Sequence, residues 1–324
     1  MSIVTGGAGF IGSNIVKHLN ERGRSDILIV DDLTDGMKTR NIQSLSFADY
    51  MDAADFDGAV ADGTFEPGTV EVIFHEGACA DTMEYNGRYM MKNNFEGSKN
   101  LFHFCQDRRI PFIYASSAST YGYGKNGFRE ESICEEALNP YAFSKLFMDR
   151  YVESYKEAHR GELMSQVVGL RYFNVFGPNE NHKGKMASLV RQMYYQLKDT
   201  GVITLFGEYE GYGPGEQRRD FISVDDVVNV NFYFWEHPEI SGTFNCGTGT
   251  AHTFNEFMQA IIKYHGSGKI DYVPFPETLK GKYQSYTQAD TTKLLAAGYD
   301  KGFTKLEDAV AKYCERLENN EGYV

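Results

Sequence analysis

A tyrosine and a lysine four positions apart, Tyr141 and Lys145 in "YAFSK", share a face if the segment is helical, and a phenol beside an ammonium can move a proton on and off a substrate hydroxyl. The pattern alone says little. In a chain with 22 tyrosines chance supplies about one match, and three occur. Tyr121 and Lys125 lie in "YGYGKNG", too rich in glycine for a helix, and Tyr194 and Lys198 lie beyond the next strand. Tyr141 instead follows Asn139 and Pro140, an N-cap and first-turn pair that places it at the start of a helix. A second chemical signal is "GPNENHKGKMAS", residues 177–188, where His182, Lys183 and Lys185 follow an apolar run. Nothing local decides whether these three coat a surface or face a substrate.

The elements that must position these groups begin with "SIVTGGAGFIGSNIVKHLNERG": a short strand, a glycine turn, and a helix with Ile11, Ile15, Val16 and Leu19 at helical spacing. Gly7, Gly9 and Gly12 fit G-x-G-x-x-G, and the next strand, "DILIVD", ends at Asp31. Strand, turn, helix and acidic strand end together point to a dinucleotide whose pyrophosphate sits on the helix N-terminus. Asp31 and Asp32 favour a free ribose 2′-OH, hence NAD, while Lys38 and Arg40 a few residues on could fold over a 2′-phosphate. Further strands at "VEVIFHEGA" and "IPFIYASSA" flank a helical stretch around Tyr89 to Arg108, so the fold class is α/β, a Rossmann-like doubly wound parallel sheet. "HEGACADT" and "SSASTYG" then lie at carboxyl ends of strands and line the cofactor cleft.

The formal charge of −13 argues against nucleic acid or an anionic membrane as partner. No run approaches the roughly 18–20 apolar residues of a membrane span, and "MSIVTGG" enters a strand at once, which places the chain in the cytoplasm. Five cysteines without C-x-x-C or zinc spacing read as reduced, packed thiols, and no metal is expected. In so acidic a chain the basic residues Lys183, Lys185, Arg218, Arg219, Lys280 and Lys282 suggest an anionic ligand, with Arg219 the best diphosphate candidate.

"TGGAGFIG", Ser117 and Tyr141-x-x-x-Lys145 resemble the extended short-chain dehydrogenase/reductase family, the branch acting on nucleotide sugars. The resemblance implies that Tyr141 exchanges the proton, that Lys145 and a positive nicotinamide favour its phenolate, and that Ser117 holds the reacting oxygen. A sugar dehydratase of the family would carry an Asp-Glu pair where Ala118 and Ser119 stand. "HEGACADT", "RYFNVFGP", "HKGKMAS", "LKGKYQSYTQAD" and "AAGYDK" closely resemble, nearly end to end, the family's ADP-heptose 6-epimerases. That implies oxidation and re-reduction at C6 of ADP-heptose for lipopolysaccharide core synthesis, with NADP as cofactor (NAD the alternative), in a homo-oligomer, a pentamer by resemblance.

It further implies cofactor contacts from Gly6, Gly9, Phe10, Ile11, Gly12, Asp31, Asp32, Lys38, Glu76, Gly77, Ala78, Cys79, Ala80, Asn93, Lys145, Val175 and Lys183. Substrate contacts fall to Asn174, Lys185, Gln192, Phe206, Arg219 and Tyr283, and Lys183 is the second proton donor. Ala53, Lys185 and Gln192 depart from the family's pattern, which has lysine, a small hydroxyl residue and histidine there. The dinucleotide-binding domain is expected over 1–172, with returning segments about 222–249 and 284–306, and an interleaved substrate domain over 173–221, 250–283 and 307–324. A UDP-hexose 4-epimerase and a non-catalytic cofactor-binding regulator are the alternatives; the intact Ser117, Tyr141 and Lys145 weigh against the second.

Overall fold

The computed structural model describes every residue except Lys282, so that basic residue lies outside the description. The strands are β1 (Ser2–Thr5), β2 (Ile27–Asp31), β3 (Asp49–Asp52), β4 (Val72–His75), β5 (Phe112–Ser117), β6 (Val167–Tyr172), β7 (Asn174–Phe176), β8 (Val202–Phe206), β9 (Arg218–Ser223), β10 (Gly242–Cys246), β11 (Ala251–Thr253) and β12 (Lys269–Val273). Seven form one sheet in the order β10-β6-β5-β4-β1-β2-β3, all pairs parallel. The doubly wound α/β class read from the sequence is the one observed.

The alternation of side chains explains why both faces are covered. Val4, Ile27, Ile29, Phe74 and Ile113 pack into one core with the helices Phe10–Glu21 and Val224–Glu236. Their strand neighbours Ile3, Leu28, Val30, Ile73 and Phe112 pack into another with the helices Ala53–Ala61, Gly97–Arg108 and Pro140–Ala158. A strand buried on both faces reads as a continuous apolar run, and these do. Strand order reverses between β1 and β4, where Thr5 stands beside His75, and such a reversal opens a crevice at the carboxyl ends.

Two small sheets, β11-β9-β7 and β12-β8, accompany a further core built on the helices Leu189–Thr200, Phe254–His265 and Leu306–Asn320. The chain passes from β6 into β7–β9, returns to the large sheet through β10, and leaves again for β11 and β12. Among the described residues, no helix is long and apolar enough to cross a membrane. All five thiols are free; four are buried as small apolar groups, but Cys79 is partly exposed, because it stands in the loop after β4 rather than in a core.

Candidate active site

The glycine turn is shaped by close approach. Gly6 has φ +63°, and a Cβ there would meet the Glu76 carbonyl carbon and Gly77 nitrogen at 2.8 Å; a Cβ on Gly12 would stand 2.2 Å from the Gly6 oxygen. The helix that follows has no side-chain cap at Gly9 and no acidic residue in its first turn. Its first N–H groups and positive end are therefore open to an anion. Asp31 is buried; one carboxylate oxygen accepts from the Ala8 N–H at 2.8 Å and the other pairs with Lys38 Nζ at 2.8 Å. Lys38 also donates to the Asp32 carbonyl, and the exposed Asp32 carboxylate accepts from the Thr34 N–H. Arg40 does not fold over this corner. It pairs with Glu321 at 3.0 Å and lies over the Tyr323 ring, a partnership some 280 residues distant in sequence that local spacing cannot show.

At the end of β4, His75 is held between Thr5 Oγ1 and Ser98 Oγ, each 2.7 Å away, and burial with Lys145 nearby pushes it down to about 3, so it is neutral. Glu76, on the opposite side, accepts from the Tyr172 hydroxyl at 2.8 Å. Burial raises its carboxyl to about 7 against that hydrogen bond and Lys145. Gly77 donates its N–H to Thr5 Oγ1, and Ala78 and Ala80 lie exposed along the same loop. Between them Cys79 is clamped through its backbone: Asn94 Oδ1 accepts its N–H at 2.8 Å and Asn94 Nδ2 donates to its carbonyl at 2.9 Å. Asn93, expected in this place, is exposed and spends its amide on the Tyr89 carbonyl. The cause is a π-helical turn over Met91–Glu96, which shifts the facing of the helix by a residue and buries Asn94 instead.

Asn139 caps the helix Pro140–Ala158 through the Ala142 N–H at 2.8 Å, with Pro140 in the first turn, so Tyr141 stands at its start. Ser117 ends β5, and its hydroxyl accepts from the Ser119 N–H and hydroxyl. Burial raises the Tyr141 phenol; a hydrogen bond to Ser117 pulls it down, while Cys79 and Glu76 push it up. Lys145 is not among the groups that shift it. The buried Lys145 ammonium donates to the Ala115 carbonyl at 2.9 Å, and burial lowers it to about 8 against the pull of Glu76 and Asp149. Within the chain alone the balance thus favours the neutral phenol, and the expected pull toward the phenolate falls to a bound nicotinamide together with Lys145.

The segment after β7 divides the three residues left open by the sequence. Lys183 Nζ lies 5.0 Å from the centroid of the Phe10 ring, and burial lowers its pKa while Glu180 raises it. His182 Nδ1 is 3.3 Å from Asn41 Nδ2; burial, then Lys38 and Lys183, push it down to about 4. Lys185 is exposed. Gln192, expected to face substrate, donates to the Ala187 carbonyl at 2.6 Å and so closes its own loop. Asn174 ties β7 to its surroundings, donating to the Asp220 carbonyl and Thr287 hydroxyl, and Val175 packs against the large sheet's core. Glu180, which sequence reasoning passed over, is fully buried. Its neighbours in sequence are polar, and nothing in "PNENH" marks it as an interior residue.

Arg219 is buried, its guanidinium 5.1 Å from the Tyr283 ring centroid, and its hydrogen bond runs to the Arg218 carbonyl at 3.1 Å. Among the described residues it has no carboxylate partner. Phe206 and Tyr283 meet edge to face, and Phe275 packs on both. Beside them an open cavity of about 420 Å³ is lined by Gly207, Glu208, Phe275 and Lys280, and Lys280 is paired with Glu277. Arg219 is thus a buried cation whose partners are the Arg218 carbonyl and the Tyr283 and Phe254 rings.

Comparison with known proteins places the chain as a whole. The chain is 54% identical to the ADP-L-glycero-D-manno-heptose-6-epimerase of Alkalilimnicola ehrlichii, over 98% of this chain and 97% of that one. It is 51% identical to the protein of the same name from Brachyspira hyodysenteriae, over the full length of both. The crystal structure of the Helicobacter pylori ADP-L-glycero-D-manno-heptose-6-epimerase superposes with a TM-score of 0.84 at 29% identity, covering 98% of this chain and 96% of that one. The profile of the NAD dependent epimerase/dehydratase family matches residues 2–247, and it is to this family that the chain belongs.

Proposed function

We propose that the protein inverts C6 of ADP-D-glycero-D-manno-heptose, giving the L-glycero epimer for lipopolysaccharide core synthesis, through a 6-keto intermediate. The observation that carries this reading is the full-length similarity to the heptose epimerases, in a chain that has Ser117 at the carboxyl end of β5 and Tyr141 and Lys145 on the helix packed beside it. The open helix N-terminus at Gly9–Gly12, the Asp31–Lys38 pair and the β4 loop fit a dinucleotide. When bound, its nicotinamide supplies a hydride acceptor and donor next to Tyr141. Gly6, Gly9, Phe10, Ile11 and Gly12 would hold the pyrophosphate, Asp31, Asp32 and Lys38 the adenosine ribose, and Glu76 to Ala80 with Lys145 and Lys183 the nicotinamide half. Tyr141 exchanges the proton of the C6 hydroxyl while Ser117 fixes that oxygen, and Lys183 serves the opposite face. Arg219 takes the diphosphate, with Phe206 and Tyr283 beside the nucleotide.

Turnover of ADP-heptose against UDP-galactose tests the substrate: conversion of ADP-heptose alone is the expected result, and preferential conversion of UDP-galactose would replace this reading with 4-epimerisation. NADP is the proposed cofactor, because Lys38 already cancels the Asp31 charge that would repel a 2′-phosphate. Titration of cofactor-stripped protein should show tighter binding of NADP than of NAD; the reverse order would make NAD the cofactor. Arg219→Met should raise KM for the nucleotide sugar roughly 10- to 100-fold, the worth of one charged hydrogen bond, with kcat little changed. An unchanged KM would return Arg219 to a packing role.

A further inference from the structure

Glu180 is a buried carboxylate that three elements converge on. Its Oε2 accepts from the Ser188 N–H at 2.6 Å, and its Oε1 accepts from the Ser188 hydroxyl and, at 2.8 Å, from the Tyr313 hydroxyl of the helix Leu306–Asn320. Its own carbonyl accepts the Lys183 N–H at 3.0 Å, closing a turn that sets the direction of Lys183. Ser188 begins the helix Leu189–Thr200, so the carboxylate pins both ends of the segment that carries Lys183. A burial of this depth is costly for a charge unless it is compensated, and here the compensation is three hydrogen-bond donors.

The titratable groups about Lys183 are Glu180 and His182 on its own segment, with Lys38 beyond His182; across from it stands the uncharged Phe10 ring. About Glu180 they are Lys183 and Tyr313, with Arg191 and Tyr195 lying next to Tyr313. Burial raises the Glu180 carboxyl against Lys183 and its donors, and lowers the Lys183 ammonium against Glu180. We propose that Glu180 is the positioning residue of Lys183: it fixes the loop that aims the ammonium and places a buried carboxylate one turn away from it. The proposal rests on the reading of Lys183 as the second proton-transfer group.

The sign follows from electrostatics. In oxidation of the epimer served by Lys183, the C6 hydroxyl proton passes to the Lys183 amine as hydride leaves C6 for the bound cofactor, so the rate rises with pH through the Lys183 pKa. Removing a neighbouring negative charge lowers that pKa and moves the rising limb toward acid. The experiment is single-turnover cofactor reduction with each C6 epimer separately, across pH, on the full-length holoenzyme. Lys183→Met comes first: selective loss of one epimer upholds the reading on which the proposal rests, and equal loss or no loss removes that reading irrespective of Glu180.

With that reading upheld, Glu180→Gln should move the limb of the Lys183-dependent epimer toward acid by up to about 1 pH unit, no more than the low end of what an opposite charge does at ion-pair range, since Ser188 and Tyr313 hold both carboxylate oxygens. The other epimer's limb should stay in place, and Glu180→Asp should return the shifted limb toward wild type. If circular dichroism shows Glu180→Gln unfolded, Tyr313→Phe decides. It removes one donor, raises the carboxyl further, and should give a smaller shift of the same sign. Equal loss on both epimers with unmoved limbs, or wild-type behaviour, overturns the proposal.

Discussion

Tyr141→Phe should fold, bind cofactor, and epimerise ADP-heptose about 10² to 10⁴ times more slowly than wild type, the usual contribution of a positioned general acid–base group. Phenylalanine keeps the ring and removes only the hydroxyl, and the helix start depends on Asn139 and Pro140 rather than on Tyr141. The size of the loss follows from the surroundings. Burial, Cys79 and Glu76 all hold the phenol neutral, and Ser117 alone draws it toward ionisation. The neighbouring Lys145 and His75 are engaged elsewhere, Lys145 with the Ala115 carbonyl and His75 with Thr5 and Ser98. Steady-state turnover of purified variant, with cofactor retention and thermal melting as folding controls, checks it; near wild-type turnover in a folded variant removes Tyr141 from the chemistry. Because the phenol is held neutral, oxidation through Tyr141 should quicken toward alkaline pH while it remains ready to donate in re-reduction.

Lys183→Met should abolish epimerisation while leaving oxidation of one C6 epimer intact, the mirror of Tyr141→Phe. A ketone re-reduced by the same bound cofactor must show it the opposite face. At an exocyclic carbon that takes rotation about the C5–C6 bond, and the oxygen then points away from Tyr141. A second proton group is required where the rotated oxygen arrives. Lys183 suits the role because burial lowers its pKa toward the working range, and its Nζ lies over the Phe10 ring at the mouth of the glycine turn. Methionine preserves length and apolar contact with Phe10 while deleting the amine. Single-turnover cofactor reduction with each epimer is the measurement, and equal defects with both would return Lys183 to a binding role.

Much of the fold was legible because its signals are local. The glycine turn, the apolar strands and the Asn139–Pro140 helix start each occupy a few consecutive residues, and the parallel sheet follows from their alternation. The features that the sequence left hidden share the opposite character. No spacing announces the π-turn that leaves Asn93 outside and buries Asn94, or the pairing of Arg40 with Glu321 from the far end of the chain. Nor does spacing announce that, within the chain, Gln192 donates to the Ala187 carbonyl and Lys145 to that of Ala115. Glu180 escaped notice because a carboxylate in a polar run reads as solvated, and only the packing of Tyr313 against it shows otherwise. Residue type and spacing report which groups can meet; which partner each one takes is decided by tertiary competition.

The place of β10 at the end of the large sheet has a consequence for how the chain is made. β6 is finished at Tyr172, yet its outer neighbour is not synthesised until Gly242–Cys246. At roughly 5–20 residues per second, the ribosome leaves that edge bare for roughly 4 to 15 s. During this interval Val168, Leu170 and Tyr172 border an unpaired row of N–H and C=O groups, the kind of template on which nascent chains stick to one another. A stalled or truncated product ending in the small sheets would carry this open edge permanently, so its fate is capture by a chaperone or aggregation, and ribosome-bound fragments should lose protease sensitivity at β5 and β6 only once Cys246 has cleared the exit tunnel.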